Sequence, residues 1–208
     1  MTDEIPQGPS RRILLRNGLL AGLGTALVGV AAPALTGTGT GTARAAVPGS
    51  GFQDSWSWCD KCQGLFYGPF QPNSWCPAGG QHDRSESNDY SLGYGLPSTP
   101  GQPQQSGWYW CRKCQGLFYG PFQPNSWCPA DGRHDGSESY DYDMYYNSGG
   151  GLQFGWSWCD KCQGLFYGLF QSSSWCPAGG RHDGSQSLNY GVSIPEPIYL
   201  QGTRQSPV

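Results

Sequence analysis

Nine cysteines and three histidines recur in this 208-residue chain with a single spacing, C-x2-C-x13-C-x5-H. The groups are Cys59, Cys62, Cys76 and His82, then Cys111, Cys114, Cys128 and His134, then Cys159, Cys162, Cys176 and His182. Three thiols with one imidazole are the donor set of a closed tetrahedral structural zinc site. Zinc is borderline-soft, accepts sulfur and nitrogen together, and is not redox active. The C-x2-C pair lets one tight turn present two thiolates to the same ion. Asp83, Asp135 and Asp183 follow the histidines directly. They are natural acceptors for the imidazole N–H left free, or rival ligands. The expectation is three structural Zn2+ ions, one per group.

Two other chemistries use the same residues. Disulfides fail on parity, since three thiols per group leave one unpaired and the single histidine has no role. A redox couple is suggested by Trp58-Cys59-x-x-Cys62, which is similar to the Trp-Cys-x-x-Cys of thioredoxin at a strand-to-helix turn. Here the next residues are Gln-Gly-Leu-Phe-Tyr-Gly-Pro-Phe, which cannot open a helix. A full four-donor set also leaves no position for activating water. The chain is therefore expected not to be an enzyme, a hydrolase or a thiol redox catalyst being the weaker readings.

The elements that must hold these groups come as internal repeats. Residues 56–90, 108–142 and 156–190 align without gaps, and 24 of their 35 columns are identical in all three, including every Cys, His, Trp and Lys. Around them lie a lead at 46–55, linkers at 91–107 and 143–155, and a tail at 191–208. No 3.6-residue apolar period appears within or between the repeats. Trp-x-Trp-Cys, Gly-Leu-Phe-Tyr and Ser-Trp-Cys read as short strands cut by Gly and Pro. A unit this small cannot close on an apolar core alone and needs a staple at the cysteines. The expected fold is a set of small all-β/coil metal-stabilised modules, three tandem zinc-ribbon-like repeats strung as beads. The alternative is a closed threefold all-β body.

Cys-x-x-Cys-Gln-Gly-Leu-Phe resembles the first knuckle of a zinc ribbon, with the Gly easing the turn. Cys-Pro-Ala-Gly-Gly-x-His resembles the second, with His arriving late in place of the fourth Cys. The repeat as a whole resembles tandem Cys3His modules of secreted bacterial proteins. The resemblance implies an exported repeat protein and names no substrate. Ser10-Arg11-Arg12-Ile13-Leu14-Leu15-Arg16 is similar to a twin-arginine export signal; a Gly-rich apolar run and Ala43-Arg44-Ala45 follow it. Residues 1–45 are read as that signal, against an uncleaved anchor. The mature chain is expected outside the cell or at its surface, with no stable membrane insertion. Twin-arginine export carries folded cargo, so a thiolate–metal group can be assembled before the chain leaves the reducing cytosol.

Beyond residue 45 there are 13 acidic and 8 basic residues, which disfavours nucleic acid as a partner. Each repeat carries more aromatic rings than a unit of its size can bury. The surplus is expected to include Trp56, Tyr67, Trp75 and Tyr90, with Trp108, Tyr119, Trp127, Tyr142, Trp156, Tyr167, Trp175 and Tyr190. Exposed rings flanked by Asp, Ser, Asn and Gln suit sugar rings or another protein. The leading functional expectation is a multivalent, carbohydrate-binding surface for a polysaccharide or cell-envelope component. The alternative is an extracellular structural or assembly protein that self-associates.

Overall fold

A computed structural model describes residues 49–195; the segment read as an export signal lies outside the described residues. Each repeat opens on a strand, β1 (Gly51–Trp58), that turns through the first cysteine pair into a short strand, β2 (Leu65–Tyr67). A 3-10 turn at Gly68–Asn73 and an irregular loop carry the remaining ligands. The chain then returns as β3 (Asp89–Tyr94), antiparallel to β1 on the side opposite β2. The second repeat supplies β4 (Gln104–Trp110), β5 (Leu117–Tyr119) and β6 (Tyr142–Tyr146). The third supplies β7 (Leu152–Trp158), β8 (Leu165–Tyr167) and β9 (Tyr190–Ser193). Among the described residues no helix is long and apolar enough to cross a membrane.

The nine strands among the described residues belong to one sheet that nearly closes on itself. At one end β3, β6 and β9 pair with one another, through Tyr94 with Tyr142, Tyr146 with Tyr190, and Ser91 with Ser193. At the other end the short strands meet in a ring, Phe66 bridging Gly116, Phe118 bridging Gly164, and Phe166 bridging Gly64. The repeats are therefore a closed threefold all-β body and not independent beads. The physical reason is the one that governs other repeat proteins: a unit that cannot bury its apolar face alone buries it against its neighbours.

One core runs through all three repeats. Trp56, Trp108 and Trp156 are buried in it with Leu65, Leu117 and Leu165, Tyr90, Tyr142 and Tyr190, and Leu92, Met144 and Val192. Each Trp meets the Tyr of another repeat edge-on, with centroids at 5.2 Å for Trp56–Tyr142, 5.1 Å for Trp108–Tyr190 and 5.4 Å for Trp156–Tyr90. The tyrosine hydroxyls donate to Gln53, Gln105 and Gln153, again across repeats, so the buried phenols keep partners. A bulge before each Trp re-aims the strand. Its extra residue is Ser55, Gly107 or Gly155, at φ of 72°, 91° and 100°, and Ser55 alone carries a side chain in that left-handed region.

Candidate metal centres

Cys59 leaves the end of β1, and the backbone folds back at once: the Cys59 N–H donates to the Gly64 carbonyl at 2.9 Å and the Gln63 N–H to the Cys59 carbonyl at 2.8 Å. This turn needs one left-handed residue. It is Gln63, with φ 71°, and not the glycine after it; Gln115 and Gln163 repeat the arrangement at 71° and 70°. The side chain stabilises the strained backbone by donating to the Asp60 carbonyl at 2.6 Å and accepting from the Trp58 indole at 3.1 Å. The second knuckle closes with the Cys76 N–H on the Gly80 carbonyl. Gly79 and Gly80 are both left-handed there, so the chain reverses far enough for His82, six residues after Cys76, to reach the thiols. Asp131 occupies one of these positions in the second repeat, at φ 91°.

In every repeat the three cysteines and the histidine are buried, and their ligand atoms lie within 4.8 Å of one another. The Cys59 and Cys76 sulfurs are 3.9 Å apart, and the Cys62 sulfur is 3.4 Å from His82 Nδ1. A tetrahedral ion with sulfur bonds of about 2.3 Å and a nitrogen bond of about 2.0 Å requires edges of roughly 3.8 and 3.5 Å. The donors fit such an ion. All nine cysteines are free thiols, so none of the described residues forms a disulfide.

The protonation of the bare group makes the same point. S–H donation from Cys62, and then from Cys76, holds the Cys59 thiol far below its ordinary range. Burial pushes Cys62 well up, and the hydrogen bond with Cys59 pushes Cys76 up to about 11. Cys128 and Cys176 rise to about 12 for the same reason. One thiolate per group is supported by the protein; three require a cation. Binding a dication therefore displaces two protons, from Cys62 and Cys76 or their counterparts, and protons compete with the metal. Apparent affinity is expected to fall by at least roughly a hundredfold for each pH unit of acidification below neutrality, because the imidazole must also be neutral to bind. Competition with a chromogenic chelator at stepped pH measures this, and a flat response would contradict the two-proton exchange.

The residues around the group differ from those expected. Asp83, Asp135 and Asp183 do not serve the imidazole: their carboxylates accept from the backbone N–H of Ser85, Ser137 and Ser185 at about 3 Å. Asp135 also pairs with Arg112. What reaches the metal group is their backbone, whose N–H donates to the Cys59, Cys111 and Cys159 sulfurs at 3.4, 3.3 and 3.3 Å. Each histidine is instead set by stacking on a phenylalanine, at 4.6 Å for Phe66–His82, and by a serine hydroxyl that accepts from its backbone N–H; in the first two repeats Gln71 and Gln123 also donate to the histidine carbonyl. Lys61 Nζ donates to the Gly79 and Gln81 carbonyls, tying the two knuckles together beside the thiolates. The signal for these residues was their identity in all three copies, with no chemistry attached.

The expected ligand surface divides. Trp56, Trp108 and Trp156 with Tyr90, Tyr142 and Tyr190 are core residues, because the repeats share an interior that a single unit would lack. Tyr67, Tyr119 and Tyr167 are partly buried against that core. Trp75, Trp127 and Trp175 are exposed, at 56, 52 and 50%. Comparison with models of known families, with curated proteins and with solved structures finds no match. What fold and site define is a class: a three-repeat, all-β body with aromatic clusters and three buried Cys3His groups able to hold metal ions. The three metal-binding repeats and the aromatic clusters fit a binding or structural module.

Proposed function

We propose that the chain is an exported, non-catalytic, multivalent binding protein, its three repeats clamped by Zn2+, that recognises a polysaccharide or cell-envelope surface. The observation that carries this reading is the placement of Trp75, Trp127 and Trp175. Each is half-exposed, and each backbone N–H donates across a junction to the first knuckle of the next repeat, Trp75 to Cys114, Trp127 to Cys162 and Trp175 to Cys62. An indole exposed on a rigid, metal-clamped frame loses little freedom on binding, which favours affinity. Arg133 and Arg181 sit over the Trp127 and Trp175 rings at 5.9 and 5.5 Å, and Gln81 takes that position in the first repeat. Flat apolar faces edged by amide, hydroxyl and guanidinium groups match the alternating faces and edges of sugars. Three equivalent sites on one body add avidity on a polymer without new contacts.

Zinc is the natural ion for this donor set, since thiolate and imidazole together select it over harder cations. Its four protein ligands leave no open position, which supports a clamping role. Retention on insoluble chitin, cellulose and peptidoglycan tests the proposal. The parent is expected to be retained on at least one, and the triple variant Trp75→Ala, Trp127→Ala, Trp175→Ala is expected to lose retention by roughly 100-fold or more while its melting temperature stays put. No retention on any polymer, with self-association rising with concentration, would instead favour the assembly role.

A further inference from the structure

Where the three first knuckles meet lies a pocket of about 40 Å³, open to solvent and lined by Cys62, Gly64, Leu65, Pro77 and His82 and by the equivalent residues of the other two repeats. Its wall is mostly leucine and proline hydrocarbon with cysteine sulfur. Cys62, Cys114 and Cys162 belong at the same time to the three metal groups. Three thiolates and a neutral imidazole around a dication leave a net charge of about −1 on each group. No lysine or arginine lines the pocket to offset those charges. It is therefore an apolar surface with three negative groups behind it.

That combination excludes most guests. An anion is repelled. A hard inorganic cation needs oxygen ligands, which hydrocarbon does not supply. A soft one needs closely set sulfurs; among the described residues the side-chain sets close enough to share an ion are the three Cys3His groups themselves, and the three wall sulfurs do not form such a set. A primary ammonium is strongly hydrated, and an apolar wall leaves its donors unanswered. A quaternary ammonium group has no N–H to satisfy. Its charge is spread over methyl groups, which pack on leucine, proline and sulfur as hydrocarbon does.

The space agrees with such a group. Gly64, Gly116 and Gly164 line the pocket without a left-handed backbone to explain them, because Gln63, Gln115 and Gln163 take that conformation. A Cβ at each would meet its nearest neighbour at 3.4, 3.6 and 3.5 Å, which is ordinary contact. Alanine fits the fold at all three positions; what it would remove is the space. We propose that the pocket is a binding site for a quaternary ammonium group of the choline type. One water needs roughly 10–15 Å³ of such space, so the pocket takes two or three non-hydrogen atoms. These are N-methyl groups, and the rest of the cation stays in the open mouth. No tryptophan lines the pocket, so the site is separate from the exposed indoles and independent of the polysaccharide reading above.

The test is an NMR titration of the metal-loaded full chain with choline and with its uncharged carbon isostere, dimethylbutanol bearing a tert-butyl head. Choline is expected to bind at least about tenfold more tightly, since the two differ in charge and not in shape. Its affinity is expected to fall as salt rises, because the negative groups are screened. In the variant Gly64→Ala, Gly116→Ala, Gly164→Ala choline affinity is expected to drop by about tenfold or more with metal content unchanged. Equal binding of choline and isostere, no binding of choline, or undiminished affinity in the variant overturns the site. If the variant fails to hold its metals, the isostere and salt comparisons on the parent decide. Choline binding with sedimentation on phosphatidylcholine vesicles, and not on phosphatidylglycerol vesicles, supports the site with a surface headgroup as its ligand. Choline binding without sedimentation supports it with a free solute.

Discussion

Replacing Cys114 by serine is expected to unfold all three repeats, not the second alone. Cys114 is fully buried in its metal group, and its carbonyl accepts the Trp75 N–H of the first repeat. The next two residues bind that repeat again: the Gln115 carbonyl accepts the Tyr67 N–H, and Gly116 bridges Phe66. The second repeat reaches forward in the same way, from Tyr119 to Gln163. Its Trp108 packs on Tyr190 of the third. Loss of one metal group therefore opens two junctions and a third of the shared core. Structural zinc in small modules contributes roughly 10–16 kcal/mol at neutral pH, as much as the whole stability of a typical domain at about 5–15 kcal/mol. In the parent, stepwise chelation should give one transition that takes all three metals and the sheet together. In C114S, native mass spectrometry should find no species holding two metals with its sheet intact. A stable two-metal form keeping two thirds of the parent's circular dichroism would show that the repeats are separable.

That contrast marks what the sequence could and could not disclose. The ligands were legible because their chemistry is local: C-x2-C and C-x5-H each close within one turn, and four donors of the right kind identify themselves. The ring was not legible, because the bonds that close it join residues far apart in sequence, such as Phe66 with Gly116, and Tyr90 with Gln153 and Tyr142 with Gln53, the last two pairs 63 and 89 positions apart. The core residues Leu92, Met144 and Val192 also differ in each copy, so no alignment of repeats marks them as equivalent. They stand one turn of the ladder beyond the tyrosine that ends the recognisable repeat. Gly64 was misread for a related reason. A Cys-x-x-Cys-Gln-Gly turn requires one left-handed residue, and propensity assigns that to glycine; the hydrogen bonds of the Gln63 side chain to Asp60 and Trp58 reverse the choice. The acidic residue beside each histidine suggested a carboxylate partner for the ring, yet only its backbone faces the metal group, because the carboxylate caps the turn that follows.

Trp108→Ala and Trp127→Ala change the same residue type in the same repeat, and they are expected to differ by several kcal/mol. Trp108 is inaccessible to solvent, edge-on to Tyr190 at 5.1 Å and tilted against Tyr119 at 5.3 Å. Truncating a large aromatic in a close-packed interior removes its transfer energy and leaves a cavity, a cost of about 3–5 kcal/mol. For a body of this size that lowers the melting temperature by roughly 6–20 °C. Trp127 is 52% exposed, with the Arg133 guanidinium over its ring at 5.9 Å. Its loss should stay within about 0.5 kcal/mol. Calorimetry of both variants with three metals bound decides the matter, and equal shifts would mean that the shared core is not where the aromatic residues act. The interaction across repeats can be isolated by adding Tyr190→Phe and Tyr190→Ala to Trp108→Ala. The edge-on pair should couple by about 0.5–1.5 kcal/mol in the cycle with alanine. Phenylalanine should keep most of that coupling while losing the hydrogen bond to Gln105, which separates ring packing between the second and third repeats from the polar ring that encircles it.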